Sequence, residues 1–159
     1  RRLDMKDPAG KSVDVGYVGE VTSVNTEPLL RCMSRGVTPV ISPTAMGEDG
    51  KIYNCNADVA AAHVAIALRA RRLVFMSDVP GLMNDPTNPD TVIPHLQTGQ
   101  VGDLKAAGII ATGMIPKVDS AVSAIRTGVD KVSFVDGRIT HSVLLEIFTD
   151  KGVGTEIVL

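Results

Sequence analysis

The chain has 159 residues, 44% of them hydrophobic and 21% charged, and a net charge of −2 at pH 7. That length suits one domain with a core of its own, the absence of a basic run argues against a nucleic-acid partner, and the short apolar stretches argue against a membrane span. Cys32 and Cys55 lie outside any CxxC or Cys/His cluster, so neither a zinc site nor a disulfide framework is indicated, and a cytoplasmic setting is expected.

Val13, Val15 and Tyr17 alternate with polar neighbours and predict a half-buried strand. Thr26 reads as the N-cap of a short helix, with Glu27 and Pro28 in its first turn and Gly36 at its end. The apolar run from Val37 to Ser42 predicts a buried strand. Glu48-Asp49-Gly50-Lys51 carries the Asp-Gly signal of a hairpin, which Gly47 and Gly50 shape. Asn56 then caps an alanine-rich helix from Ala57 to about Ala70.

Leu73 to Met76 reads as a strand that breaks at Ser77-Asp78-Val79-Pro80-Gly81, and the proline-rich stretch from Asn84 to Pro94 as a surface loop. A weak helix spans Gly99 to Ala107. A clearer one follows Gly113, because Val118, Ala121, Val122 and Ile125 fall at i, i+3, i+4 and i+7 before Gly128. Val132 to Val135 predicts a strand, Ser142 to Phe148 a helix, and Val153 to Val158 a closing strand. The alternation predicts an α/β fold, a mostly parallel sheet sandwiched by helices in three layers.

Few residues suggest chemistry by themselves. Lys117 lies in the first turn of its helix, where the helix dipole disfavours a cation, and such a conflict is often retained where an anion binds. A solvated lysine covering apolar surface is the plainer alternative. Asp58 is favourable in the first turn of its helix without further purpose. Asn54 and Asn56 alternate just before it and, if extended, present two amides at one rim. Ser77 to Gly81 lies at the carboxyl end of a predicted strand, where α/β sheets collect ligands, although Asp, Pro and Gly also make ordinary turns. The pattern GxxxxGK[ST] is absent and so is GxGxxG. His63, His95 and His141 share no metal spacing; His63 reads as a packed helical residue, His95 as in or near the loop and His141 as a helix cap.

The order and wording of four blocks are more specific than any single residue. Gly16-Tyr17-Val18-Gly19-Glu20-Val21, Asn54-Cys55-Asn56-Ala57-Asp58, Ser77-Asp78-Val79-Pro80-Gly81 and Gly113-Met114-Ile115-Pro116-Lys117 together resemble the amino acid kinase family. The resemblance runs from about Val13 to Val158 and is strongest to the branch acting on N-acetyl-L-glutamate. Phe148-Thr149-Asp150-Lys151-Gly152-Val153-Gly154-Thr155 adds to it.

The resemblance implies ATP-dependent phosphorylation of the side-chain carboxylate of N-acetyl-L-glutamate, a step of arginine biosynthesis, with Mg2+ carried by the nucleotide. Lys117 matches the lysine that stabilises the transferring phosphoryl group, and Asp58 the aspartate that holds the catalytic lysines. Asn54 and Asn56 match the acetylglutamate contacts. Ser77, Asp78, Val79, Pro80, Gly81, Leu82 and Met83, with Ile109, Ile110 and Ala111, match the segments that hold ATP. Glu146, Gly152 and Gly154 match an effector site for L-arginine as feedback inhibitor, and a homo-oligomer is expected of the complete enzyme.

Residues 1–25 do not match the glycine-rich loop, second lysine, Gly-Gly pair and substrate arginine of the family's amino-terminal half. The expectation is therefore one domain over 1–159, the carboxyl-terminal ATP-binding portion without its substrate half, turning over poorly or not at all alone. Two other readings stay open: a family member acting on another carboxylate, on carbamate or on a nucleotide, and a non-catalytic nucleotide- or arginine-binding module.

Overall fold

A computed structural model describes residues 1–159. Its first elements are a small hairpin, β1 (Met5–Lys6) and β2 (Ser12–Val13). Asp7 closes the turn by accepting the backbone N–H groups of Ala9 and Lys11 at 2.9 and 2.8 Å. The strand expected through Val13, Val15 and Tyr17 does not form as one piece. Gly16 turns the backbone at φ +72°, and pairing resumes only in β3 (Val18–Gly19).

Helix α1 (Glu27–Met33) has Pro28 in its first turn, but its cap is shifted. Asn25 Oδ1 accepts from the Glu27 N–H at 3.1 Å, while the Thr26 side chain makes no cap bond. The run Val37 to Ser42 is not a buried strand: it joins no sheet, and Val40 is 96% exposed. Pro39 and Pro43 bracket its centre and lack the N–H groups a ladder needs. Next, β4 (Thr44–Met46) and β5 (Ile52–Cys55) make the expected antiparallel hairpin, its turn tied by a 2.8 Å bond from Tyr53 Oη to Asp49 Oδ2. β3 pairs with β5 in parallel.

Asn56 caps α2 (Ala57–Ala67) as expected, its Oδ1 accepting from the Val59 N–H at 3.1 Å. The larger sheet contains β6 (Arg72–Ser77), β7 (His95–Gln97), β8 (Lys131–Asp136) and β9 (Thr155–Val158) in the order β6-β8-β9-β7. β6 and β8 are parallel over six residues, β8 and β9 antiparallel, β9 and β7 parallel. The architecture is α/β as read, but the sheet is mixed rather than mostly parallel: its central pair, β8 and β9, is antiparallel, and each edge strand runs parallel to its neighbour. β7 begins just after the stretch read as loop, in residues for which no strand was expected; with three residues it is too short to show an alternation of its own.

Between these strands lie α3 (Val101–Ala106), α4 (Ile115–Arg126) and α5 (Ser142–Phe148). His141 takes the capping position of α5 at φ +61°, but its side chain makes no cap bond. The apolar stripe of α4 is buried as its spacing predicts: Val118 and Ala121 are fully enclosed and Ile125 nearly so. They share a core with Val132 and Phe134 of β8, where Phe134 stacks on Phe75 at 5.4 Å between ring centroids. Burial of a side chain such as Phe134 contributes about 1.5–3 kcal/mol. Both α4 and α5 pack on β8, and Val132, Ser133, Phe134 and Val135 are all fully buried, the condition of a central strand covered on both faces.

The connections set the site. α2 leads by a short turn into β6, and α4 into β8, so each helix runs opposite to its strand and its amino end lies beside that strand's carboxyl end. α5 leaves β8 at that same end and returns along it.

A four-strand ion cluster marks the other end. Glu156 on β9 pairs with Lys131 of β8, and lies 3.8 Å from Arg72 of β6 and 3.5 Å from His95 of β7. Burial pushes its carboxyl up, yet the Lys131 hydrogen bond and the charges of Lys131, Arg72 and His95 together hold it below the usual 4.5. A depressed carboxylate contributes stability above the unfolded-state value and loses it as pH falls through the folded value. The melting temperature is therefore expected to drop on acidification below about pH 4.5, and Glu156→Gln to flatten that limb while lowering stability at pH 7. Parallel acid limbs for the two proteins, measured by circular dichroism, would remove Glu156 from the explanation.

Gly154 allows β9 to approach β8, because an added Cβ would sit 1.9 Å from the Phe134 carbonyl oxygen. The obstacle is backbone, which cannot rotate away. Gly154→Ala is expected to cost about 3 kcal/mol or more, read as a lower urea midpoint; an unchanged midpoint would mean that the β8–β9 spacing yields freely.

Candidate functional site

Asp58 occupies the first turn of α2 and Lys117 the first turn of α4. Their helices pack together, and Lys117 Nζ donates to both Asp58 oxygens, at 2.9 Å to Oδ1 and 2.8 Å to Oδ2. The side chains are 27% and 22% exposed, so the pair lies at the rim of the core and faces solvent on one side. Two helix amino ends therefore meet at one carboxylate and one ammonium. No side chain caps α4; its first turn carries Pro116, which has no N–H, and the Ile115 N–H is taken by the Thr112 carbonyl, so the charge offered at this end is the Lys117 ammonium itself.

Asn56 is at the same corner but is engaged as the α2 cap through Oδ1, which leaves its amide NH2 free to donate. Asn54 is exposed on β5 between β3 and β4, opposite Val18 and Thr44. The two asparagines thus have different employment: a cap and a free amide.

The segment after β6 folds back on the sheet. Ser77 Oγ and the Val79 N–H are 3.2 Å apart, and the Leu82 N–H donates to Thr155 Oγ1 at 2.8 Å. Gly81 permits this staple, since at φ +154° a Cβ would lie 2.6 Å from Thr155 Oγ1. Ser77, Val79 and Pro80 are partly open and Asp78 is exposed; Met83 pairs with Val92 at the loop neck. Leu82 and Ile110 are core residues, 3% and 4% exposed, and support the segment from below. Ile109 is half-buried and Ala111 exposed, at the start of the turn that leads into α4.

Glu146, Gly152 and Gly154 come together away from Lys117. Glu146 is 6% exposed, and its Oε2 accepts from the N–H groups of Val153 and Gly154 at 3.0 and 3.3 Å. A Cβ on Gly152 would strike that same oxygen at 2.6 Å. With Arg72, Lys131 and Glu156 they line a polar cavity of about 380 Å³. Arg72 and Lys131 begin β6 and β8, so this cavity and the Lys117 corner lie at opposite ends of the same strands.

One pair was not singled out in the sequence. Asp136 ends β8 with a side chain only 6% exposed, and Arg138 closes on it, Nε to Oδ1 at 2.9 Å and a terminal nitrogen to Oδ2 at 2.8 Å. That hydrogen bond, ahead of those from the backbone, holds the Asp136 carboxyl below the usual range. Asp-Gly-Arg after a strand reads as a turn, and only burial marks the aspartate as unusual.

No helix is long and apolar enough to cross a membrane. The chain is 52% identical over 145 residues to acetylglutamate kinase of Clostridium beijerinckii, covering 91% of this chain and 51% of that protein. It is 46% identical to acetylglutamate kinase of Syntrophomonas wolfei, covering 95% and 53%. It therefore spans about half the length of the curated relatives it matches. The fold is similar to the crystal structure of N-acetylglutamate synthase from Neisseria gonorrhoeae complexed with coenzyme A and L-arginine, with a TM-score of 0.84 at 27% identity over 98% of this chain and 35% of that one. Residues 2–136 match the profile of the amino acid kinase family, and with these relatives the match shows that the chain belongs to that family.

Proposed function

We propose that this chain is the nucleotide-binding portion of a kinase that transfers the terminal phosphoryl group of ATP to the side-chain carboxylate of N-acetyl-L-glutamate, in the cytoplasm, as a step of arginine biosynthesis. The observation that carries the reading is the Lys117 ammonium, fixed by both oxygens of Asp58 where two helix amino ends meet. Phosphoryl transfer through a loose transition state needs positioned cations around the moving group and little covalent help. Lys117 supplies such a cation, and Asp58 sets its position.

The open backbone of Ser77 to Pro80 and the Ala111 turn line the nucleotide side. Asn54 and the free NH2 of Asn56 face the acceptor. Mg2+ travels with the nucleotide on its phosphate oxygens. A facing lysine and most of the grip on acetylglutamate belong to the length by which the relatives exceed this chain. The exposed Leu144, Ile147 and Phe148 of α5 favour a homo-oligomer in that complete enzyme.

Calorimetry tests the nucleotide assignment on the chain alone: weak ATP binding is expected, with negligible acetylglutamate-dependent turnover. Robust turnover by these 159 residues would show that no second half is needed. Catalysis is tested by fusing the chain to the part of the Clostridium beijerinckii relative that it does not match. In that chimera Lys117→Ala is expected to lower kcat by ~10³-fold or more while ATP affinity changes far less. Equal losses of rate and affinity would make Lys117 a binding residue only.

The polar cavity is the place we propose for L-arginine as feedback inhibitor, with Glu146, Gly152 and Gly154 in its wall. Glu146 and Glu156 are carboxylates suited to a guanidinium. The chimera is expected to bind L-arginine by calorimetry, and Glu146→Gln to weaken it roughly tenfold or more. A chimera that turns over but shows no heat with L-arginine would end this assignment.

A further inference from the structure

Lys117 is not the only cation pinned at the carboxyl end of the β6–β8 pair. Arg138 follows β8 by two residues and is fixed by Asp136 in the way that Asp58 fixes Lys117, two bonds from one carboxylate. The turn itself does not need this arrangement. Its backbone share, the Arg138 N–H to Asp136 Oδ1 at 2.9 Å and the Ile139 N–H to the Asp136 carbonyl at 3.3 Å, is open to any residue at position 138 apart from proline. The guanidinium adds two further bonds to a carboxylate that is almost wholly buried, while its own side chain stays 66% exposed.

The orientation that results is specific. Asp136 takes one edge of the planar guanidinium and leaves the remaining N–H groups toward solvent. Asp136 is the register partner of Ser77, and the Gly137 N–H donates to the Ser77 carbonyl at 2.8 Å. The Arg138 head is therefore tethered above the strand ends from which Ser77 to Gly81 departs, and the charge of Asp78 acts on it. A crevice at the carboxyl ends of parallel strands is where α/β sheets receive ligands.

We infer that Arg138 is a nucleotide-binding residue, held by Asp136 over the carboxyl ends of β6 and β8 so that its free edge receives the phosphates of the bound nucleotide. Asp136 acts through Arg138 and is a positioning residue. The inference rests on the reading of this end of the sheet as an ATP site.

Binding of ATP, ADP and adenosine to the 159-residue chain separates the two. Arg138→Gln is expected to weaken ATP and ADP roughly tenfold or more, as loss of a bidentate phosphate contact does, and to leave adenosine unchanged. Arg138→Lys is expected to recover part of the loss. If the unaltered chain binds ATP and Arg138→Gln binds it equally well, Arg138 is no ligand and only this inference falls. If the unaltered chain binds no nucleotide, the ATP-site reading falls with it. Should Arg138→Gln fail to fold, phenylglyoxal modification of the unaltered protein decides: ATP protects Arg138 and adenosine does not, whereas equal labelling with and without ATP overturns the inference.

Discussion

The site depends on one ion pair, Lys117 with Asp58, because it joins two helices by ends that would otherwise repel. The first turns of α2 and α4 each carry the positive end of a helix dipole, and Lys117 adds a full charge to one of them. Placed alone, that lysine costs a few tenths to about 1 kcal/mol. Asp58 offsets the conflict, lying favourably at its own helix start and close enough to give Lys117 two bonds. The ammonium is thereby fixed in position but keeps a solvent-facing side. An immobile cation with an open side attracts a second anion more readily than a lysine neutralised in the interior.

β8 connects this corner to the rest of the molecule. β8 is six residues long, and the five steps from Lys131 to Asp136 span roughly 17 Å. At the first end Lys131 meets Glu156 and the polar cavity; at the last, Asp136 holds Arg138. Between them the strand is sealed on both faces, paired with β6 throughout and with β9 as far as Phe134. A strand so enclosed cannot tilt without disturbing the Phe75–Phe134 stack or the tight Gly154 approach. It therefore holds the two polar ends at a constant separation.

Much of this was legible in the sequence, and what was missed has physical causes. The α4 stripe, the Asn56 cap, the Asp49-Gly50 hairpin and the bounds of α5 rest on local periodicity or local hydrogen bonds, which a sequence displays directly. Asp58 and Lys117 were recognisable as a pair only through their flanking blocks, since 59 residues separate them. The errors fall where tertiary context decides. Val37 to Ser42 has the composition of a buried strand, but hydrophobicity reports a need for cover and cannot say whether these residues provide it. β7 exists because β9 offers it an edge, and nothing within His95–Gln97 announces that.

Helix α5 shows the limit most clearly. It buries Ser142 and Glu146 while Leu144, Ile147 and Phe148 remain open, the reverse of the pattern that sequence reading rewards. The inversion has a structural reason on its inner side. Glu146 is needed there to accept the Val153 and Gly154 N–H groups, which the tight turn into β9 leaves without sheet partners, and the Glu146 carbonyl receives Arg72 at 2.9 Å. A buried acceptor with donors aimed at it is tolerated, whereas unpaired N–H groups are costly. The polar face of α5 is thus dictated by the turn it covers, and its apolar side chains are left on the open face.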